Sequence, residues 1–256
     1  MRRSSSWLTA TALVMAIAIS AAHAAATIPP GVQAAVADPA RPDADRGRDA
    51  DRKPAEVIAF AGIKAGDRVF DVLPGGGYFT RLFSKVVGPK GVVYSLPPPR
   101  RPDAPANAPD MTAAVTAIAA DPGYANVRVI PLDTSAKAPE LVDVVWTSLN
   151  YHDLHNRPNA DLSVFNKFVF DSLKPGGTFI VIDHAAAAGS GARDTGTLHR
   201  IDPALVKSEV TSVGFVLEAE SDALRNPADD HTTPNRDAGV RGKTDQFVLK
   251  FRKPKK

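Results

Sequence analysis

The sequence predicts an α/β fold with a doubly wound, mostly parallel sheet. Segments with strand character and segments with helical periodicity alternate from Pro54 to Arg252, which is typical of a parallel sheet covered by helices on both faces. The apolar run at residues 68–73 is followed by the glycines Gly75–Gly77 and then by an amphipathic stretch from Tyr78. A strand, a glycine turn and a helix in this order begin a β-α-β unit, whose crossover we expect to be right-handed.

The individual elements follow from apolar periodicity and from the turn residues between them. Helices are predicted at residues 54–61, 78–87, 110–120, 160–173 and 203–213. Strands are predicted at residues 68–73, 91–96, 127–130, 142–149, 178–183, 215–221 and 246–251. Asp202 precedes Pro203, a typical N-cap with proline at the first helical position. The prolines of residues 97–109 favour a stiff loop after the second strand.

The first residues predict export. Arg2 and Arg3 precede an apolar stretch from Trp7 to Ser20, and Ala22-His23-Ala24 follows as a small-residue cleavage site, so residues 1–24 are interpreted as a signal peptide. An uncleaved membrane anchor is the alternative, because residues 7–26 are nearly long enough to span a bilayer. We expect an exported, periplasmic protein that meets the membrane only through this sequence.

The remaining chain divides into three parts. Residues 25–53 are rich in Ala, Pro, Asp and Arg without a sustained apolar period, which predicts a flexible lead-in. Residues 54–252 are expected to form the folded domain, and residues 253–256 a basic tail. The length of the middle part is sufficient for one hydrophobic core.

Composition excludes several kinds of function. The chain contains no cysteine, so disulfides, thiolate catalysis and cysteine-based zinc sites are absent. It has 31 basic and 28 acidic residues, and without Arg2 and Arg3 the balance is 29 to 28. A nearly neutral protein is not expected to bind nucleic acid.

The glycine turn and one buried acid predict a ligand site. Gly75, Gly76 and Gly77 lack a Cβ, so their backbone N–H groups can approach a ligand closely. Asp71 lies inside an otherwise apolar strand. A carboxylate at such a position needs a partner, and a ligand with cationic or donor groups would supply one.

Three separated stretches resemble class I S-adenosylmethionine-dependent methyltransferases. They are Ile63-Lys-Ala-Gly-Asp-Arg-Val-Phe-Asp71, Val142-Asp-Val-Val-Trp-Thr-Ser-Leu149 with Asn150-Tyr-His-Asp-Leu154, and Ser172-Leu-Lys-Pro-Gly-Gly-Thr-Phe-Ile-Val-Ile-Asp183. The segments Arg41-Pro-Asp-Ala-Asp-Arg, Leu198-His-Arg-Ile-Asp-Pro203 and Arg241-Gly-Lys-Thr-Asp245 also look like a group of exported bacterial proteins labelled predicted methyltransferases.

The resemblance implies a Rossmann-like methyltransferase fold with seven strands, of which the last is antiparallel. It implies that S-adenosylmethionine is the cofactor but does not name a substrate, and we expect the methyl acceptor to be an unidentified small molecule. The cofactor-binding residues that it implies are Asp71, Gly75, Gly76 and Gly77 at the amino-acid end, Asp133 near the adenine and Tyr151 near the methyl group.

The sequence departs from the family pattern at two places. Leu73 stands where the motif has its first glycine, and Pro74 follows it. The family also places an acid after the second strand to hold the ribose hydroxyls, whereas this chain has Ser95-Leu-Pro-Pro-Pro-Arg-Arg101. The arginines there allow a rival interpretation as an NADP-binding domain, in which arginine meets the 2′-phosphate.

The histidines supply candidate catalytic groups. Five of the six lie after residue 24, and all five follow predicted strands at the edge where ligands bind in a parallel sheet. His152 beside Asp153 could remove a substrate proton, and His184 and His231 are further candidates. A metal bound by His152, His155, Asp183 and His184 is an alternative, and no metal is predicted.

Export raises a second possibility for the function. S-adenosylmethionine is charged and does not cross a bilayer unaided, so an exported enzyme would need an external supply. The alternative is an exported, non-catalytic protein that uses a methyltransferase fold to bind a different small molecule.

Overall fold

The computed structural model describes residues 27–100, 105, 107–108 and 110–255. The predicted signal peptide and part of the proline-rich loop lie outside these residues. Among the helices that are described, none combines the length and the apolar character needed to cross a membrane.

The described residues form one seven-stranded sheet with the strand order β3-β2-β1-β4-β5-β7-β6. The strands are β1 (Arg68–Val72), β2 (Val92–Leu96), β3 (Val127–Val129), β4 (Val142–Ser148), β5 (Leu173–His184), β6 (Val216–Ser221) and β7 (Gln246–Arg252). All pairs are parallel except those of β7, which runs antiparallel to β5 and β6. The predicted fold class is confirmed, including the antiparallel last strand.

The helices cover both faces of this sheet. They are α1 (Pro30–Val36), α2 (Asp43–Arg46), α3 (Asp49–Arg52), α4 (Pro54–Ala61), α5 (Tyr78–Val87), α6 (Ala113–Ala120), α7 (Tyr151–His155), α8 (Leu162–Ser172) and α9 (Pro203–Ser212). The cap predicted for α9 is confirmed, because the Asp202 side chain accepts a hydrogen bond from the Ala204 N–H. Helix α7 was not predicted, since a five-residue helix shows no periodicity that a sequence pattern could reveal.

The core consists of two apolar layers, one on each face. Side chains alternate along a strand, so neighbouring residues of β4 belong to different layers. Trp146 belongs to the layer under α1, α4, α5 and α6, and Val145 belongs to the layer under α8 and α9. Both are completely buried. Strand β5 is longer than predicted, because Leu173 already pairs with Val142 before a register shift in β4.

The lead-in differs from the prediction, since residues 30–52 form three short helices instead of a flexible segment. Val32 and Ala35 of α1 are buried in the core. Arg41 is 2% exposed and binds Asp49 through two hydrogen bonds of 2.7 and 2.8 Å. The Tyr78 hydroxyl donates to the same carboxylate. Composition concealed this structure because specific contacts attach helices this short, among them the buried Val32 and Ala35, the Tyr78–Asp49 hydrogen bond and the Arg81–Asp45 ion pair at 3.0 Å.

We predict that Arg41→Ala lowers the free energy of unfolding by about 3 kcal/mol, because it leaves the Asp49 carboxylate without its cation in a partly buried place. Arg46→Ala is the matched control: the Arg46 side chain is 41% exposed, and its loss should change stability by about 1 kcal/mol or less. Urea unfolding of both variants measures the difference. Equal, small losses would mean that the N-terminal helices contribute little to the domain.

Candidate functional site at the carboxyl ends of β1 and β4

Two strained turns follow β1 and β4. Leu73 and Leu149 both have a positive φ, of 55° and 62°. Residues with a side chain seldom adopt this conformation, and those that do are concentrated at functional sites. The Asn150 side chain connects the turns by donating to the Leu73 carbonyl at 2.9 Å. The Leu73 N–H in turn donates to the Leu96 carbonyl at 2.9 Å. These bonds hold Leu73 in its positive-φ conformation.

A cavity of about 410 Å³ opens between these turns, and we call it the glycine-loop cavity. It is lined by Arg48, Arg52, Asp71, Val72, Leu73, Pro74, Gly75, Gly76, Tyr78, Phe79, Pro98, Met111, Ser148, Leu149, Asn150, Asp153 and Arg157. A Cβ added to Gly75 or Gly76 would meet no atom within 4 Å. The two glycines therefore face open space, as the sequence predicted for a loop that approaches a ligand.

Asp71 is the buried acid of this cavity. It is 3% exposed, and its carboxylate accepts a hydrogen bond of 2.5 Å from the Thr80 hydroxyl. Burial raises the pKa of Asp71 to about 7, against the opposing effects of Thr80 and the Arg52 charge. Such an environment favours a ligand that brings a positive charge or a donor to the carboxylate.

Two arginines, Arg48 and Arg52, line this cavity together with Asp71. The Arg52 guanidinium lies 4.7 Å from the centre of the Tyr78 ring, and the Arg48 guanidinium lies 5.6 Å from the same ring. Burial, together with the neighbouring charge of Arg48, lowers the pKa of Arg52 to about 10. Within the described part of the chain, neither side chain forms an ion pair. A half-buried Arg52 and an exposed Arg48 together provide a place for an anionic group.

A second cavity, of about 740 Å³, adjoins the first, and we call it the histidine cavity. The two share Arg48, Arg52, Leu149 and Asp153 as walls. The other residues around the histidine cavity are Asp51, His152, His184, Asn235, Arg236, Arg241, Gly242 and Gln246. The site thus has two compartments that meet at the carboxyl edge of the sheet.

His152 is 2% exposed and lies between two carboxylates. Its Nδ1 lies 2.8 Å from Asp183 Oδ1, its backbone N–H donates to Asp183 Oδ2 at 2.8 Å, and its Nε2 lies 3.3 Å from Asp153 Oδ1. Burial opposes protonation, but the charges and hydrogen bonds of Asp183 and Asp153 raise the pKa of His152 overall. The sequence considered Asp183 only as a possible metal ligand, although its signal was the same as that of Asp71, an acid in an apolar strand.

The other histidines have different surroundings. His184 lines the histidine cavity, its Nδ1 lies 2.7 Å from Thr244 Oγ1, and burial lowers its pKa to about 4. His231 lines neither cavity and pairs with Asp245 at 3.0 Å. His155 lies against Glu209 instead of approaching Asp183, so the four-residue metal group considered from the sequence does not assemble. His199, which the sequence placed at the ligand-binding edge without giving it a role, lies beside Asp153 instead.

Three residues predicted to bind the cofactor lie outside both cavities. Gly77 packs against α6, where an added Cβ would collide with Ile118 Cδ1. Asp133 closes an exposed turn by accepting hydrogen bonds from the N–H and hydroxyl of Ser135. Tyr151 is completely buried on the other face of α7, and its hydroxyl donates to Glu209 at 2.9 Å. These three residues therefore lie apart from Asp71, Gly75 and Gly76, which line the glycine-loop cavity.

Comparison with known proteins supports the fold. No family model matches the sequence, and no curated protein matches it. A methyltransferase from Aquifex aeolicus, described as S-adenosylmethionine-dependent, is similar with a TM-score of 0.55 and 18% identity over 79% of this chain and 89% of that chain. An arsenic(III) S-adenosylmethionine methyltransferase from Chlamydomonas reinhardtii gives 0.53 and 19% over 89% and 74%. The [4+2]-cyclase SpnF gives 0.56 and 16% over 83% and 82%.

The chain therefore has the fold of class I S-adenosylmethionine-dependent methyltransferases. The antiparallel β7 between β5 and β6 distinguishes it from the dinucleotide-binding order that the NADP interpretation required. Arg100, which that interpretation used, is exposed and donates to the Pro105 carbonyl.

We predict that Asp71→Asn stabilises the fold above neutral pH. The raised pKa, from 3.8 to about 7, means that folded Asp71 keeps its proton where the unfolded chain loses it, so stability falls as pH rises between these values. Removing the charge should therefore raise the free energy of unfolding at pH 8 by on the order of 1 to 3 kcal/mol and leave it unchanged near pH 4.

Urea unfolding at the two pH values measures this effect. Asp67→Asn is the control, because Asp67 is also buried but is paired with Lys64 at 2.8 Å, and its loss should destabilise at pH 8. A destabilised Asp71→Asn variant at pH 8 would mean that the Asp71 carboxylate serves the fold and not a ligand.

Proposed function

We propose that the protein is an S-adenosylmethionine-dependent methyltransferase that acts on an anionic small molecule in the cell envelope. Two adjoining cavities at the ends of β1 and β4, which have lining residues in common, are the main support for this proposal. Methyl transfer requires two ligands to meet, and two adjoining compartments allow this within one site. The location rests on the predicted signal peptide.

The glycine-loop cavity has groups suited to the cofactor. Asp71 would receive the ammonium group of its amino-acid part, and Arg52 its carboxylate, because each brings the opposite charge in a partly desolvated place. The open backbone of Gly75 and Gly76 leaves room for close approach. When bound, the cofactor supplies a methyl group on a sulfonium that a nucleophile can accept. The protein has no acid after β2 to hold the ribose of the cofactor; Pro98 lines the cavity at this place.

The histidine cavity has the charge expected of a site for an anionic acceptor. Arg236 and Arg241 line it together with the shared Arg48 and Arg52, and Arg236 and Arg241 take part in no ion pair within the described residues. Their loop follows β6, and its Asn235 side chain donates to the His199 carbonyl at 3.1 Å. Guanidinium groups around a cavity recognise carboxylate or phosphate. In this position they would hold an acceptor beside Asp153 and Leu149, which border both cavities, so that it can meet the cofactor there.

An exported protein that binds a small molecule without catalysis is the second candidate. Its support is the departure after β2, where prolines replace the acid that holds the ribose. The fold alone leaves room for this alternative, because a [4+2]-cyclase shares it. Binding of the cofactor separates the two candidates.

We predict that the protein binds S-adenosylmethionine and that Gly76→Val weakens this binding by about tenfold or more, since the new side chain enters the glycine-loop cavity. Gly31→Val is the matched control, because Gly31 is also exposed and also has no atom within 4 Å of an added Cβ. Calorimetry measures affinity, and thermal unfolding checks that both variants fold. Absence of saturable binding up to millimolar cofactor would favour the non-catalytic candidate.

We further predict that turnover depends on the negative charge of the acceptor. Carboxylate- or phosphate-bearing compounds should be methylated in preference to their neutral analogues, and Arg241→Gln should raise KM for the acceptor without changing the affinity for the cofactor, because Arg241 lines only the histidine cavity. Release of S-adenosylhomocysteine measures turnover. Equal methylation of charged and neutral analogues would contradict an anionic acceptor.

A further inference from the structure

Three side chains converge at the wall of the histidine cavity. His152 Nε2 lies 3.3 Å from Asp153 Oδ1, and His199 Nδ1 lies 3.4 Å from the same oxygen. All three ligand atoms lie within 4.8 Å of one another. The Nδ1 atom of His199 is buried and makes no hydrogen bond. A buried nitrogen that makes no hydrogen bond is unusual, and this one lies close to two other potential ligand atoms.

The two contacts to Asp153 Oδ1 have the spacing of ligands around one ion. Two ligand atoms at about 2.05 Å from a tetrahedral zinc ion are separated by about 3.3 Å. The two measured contacts to Asp153 Oδ1 have this length. Two imidazoles and one carboxylate also form a ligand set that catalytic zinc sites use, with the remaining position left open.

The surroundings of His152 fit the same role. Its Nδ1 contacts Asp183 at 2.8 Å, so the carboxylate fixes the ring and leaves Nε2 directed at the cluster. Asp183 is completely buried and is held in turn by the backbone N–H groups of His152 and His184, each at 2.8 Å. A carboxylate that orients a ligating imidazole in this way is the usual second layer of a metal site.

His199 is held rigidly in a strained conformation. Its φ is 52°, a value that is uncommon for a residue with a side chain. The next residue, Arg200, is completely buried in an ion pair with Asp229 at 2.6 Å, and Ile201 bonds to the His184 carbonyl at 3.0 Å. These contacts keep the segment beside β5. Strain that is maintained by its surroundings is frequent at functional positions.

We propose that His152, Asp153 and His199 bind one divalent transition-metal ion, with zinc(II) as the occupant. Nitrogen ligands favour this class of ion over magnesium and calcium, which prefer oxygen. Since His152 and Asp153 line the histidine cavity, the open coordination position faces the compartment assigned to the acceptor, where the ion would polarise an acceptor oxygen. The binding itself is independent of the methyltransferase proposal.

Cobalt(II), added alone to the chelator-treated protein, tests the site through its visible absorption. We expect one cobalt ion per chain with the strong absorption of low-coordinate cobalt, displaced by zinc(II) and not by magnesium. His199→Asn should weaken binding by about tenfold or more, and asparagine is chosen because it tolerates the positive φ of this position. Asp153→Asn should have a similar effect.

His155→Ala is the matched control, since His155 lies on the same short helix as His152 but contacts Glu209. It should bind cobalt as the unmodified protein does. Circular dichroism and the midpoint of unfolding check that each variant is folded. Absence of saturable cobalt or zinc binding up to millimolar metal would overturn the proposal. Undiminished binding in folded His199→Asn and Asp153→Asn variants would overturn it equally, and neither result would bear on cofactor binding.

Discussion

The site exists because β1 and β4 are neighbours in the sheet although they are distant in the chain. From β1 the strand order proceeds to β2 and β3 on one side, and from β4 to β5 and β7 on the other. The chain therefore leaves these two strands in opposite directions, and a crevice opens between their carboxyl ends. The two positive-φ turns at Leu73 and Leu149 border this crevice, and Asn150 connects them. Both cavities depend on this one topological feature.

Around the crevice the protein maintains several groups that are unfavourable for stability alone. Asp71 is a carboxylate with a pKa raised by burial, and Arg52 is a cation with a pKa lowered mainly by burial. His152 and Asp183 form a buried polar pair. The two well-packed apolar layers under the helices provide the stability that allows such groups to persist. Their concentration at one edge of the sheet is the physical basis for assigning function there.

The sequence predicted the parts of the fold that depend on local pattern. Helix α5 and helix α4 were predicted with their observed bounds, because each combines clear start and stop signals with apolar periodicity. Asp71, Gly75 and Gly76 were placed in the site because the chain order of strand, turn and helix determines their position. The placement of His152 and His184 after parallel strands followed from the same rule.

The sequence could not predict features that depend on contacts between distant segments. Tyr151 and His152 are adjacent in the chain, but the short helix α7 directs one into the core and the other towards the cavity. Position 77 requires glycine, because an added Cβ would collide with the Ile118 side chain of α6. His199 reaches Asp153 because residues 199–201 return to β5 through a single bridge between Ile201 and Ala185. The arginines of α3 and of the loop after β6 converge only in the folded protein.

A crystal structure with S-adenosylhomocysteine would show whether the glycine-loop cavity holds the cofactor beside an acceptor compartment. We expect the amino-acid part of this molecule to contact Asp71 and Arg52 and its sulfur to lie near Leu149 and Asp153, which border both cavities. A structure in which the molecule binds elsewhere, or in which the glycine-loop cavity is filled by the protein's own side chains, would contradict this expectation.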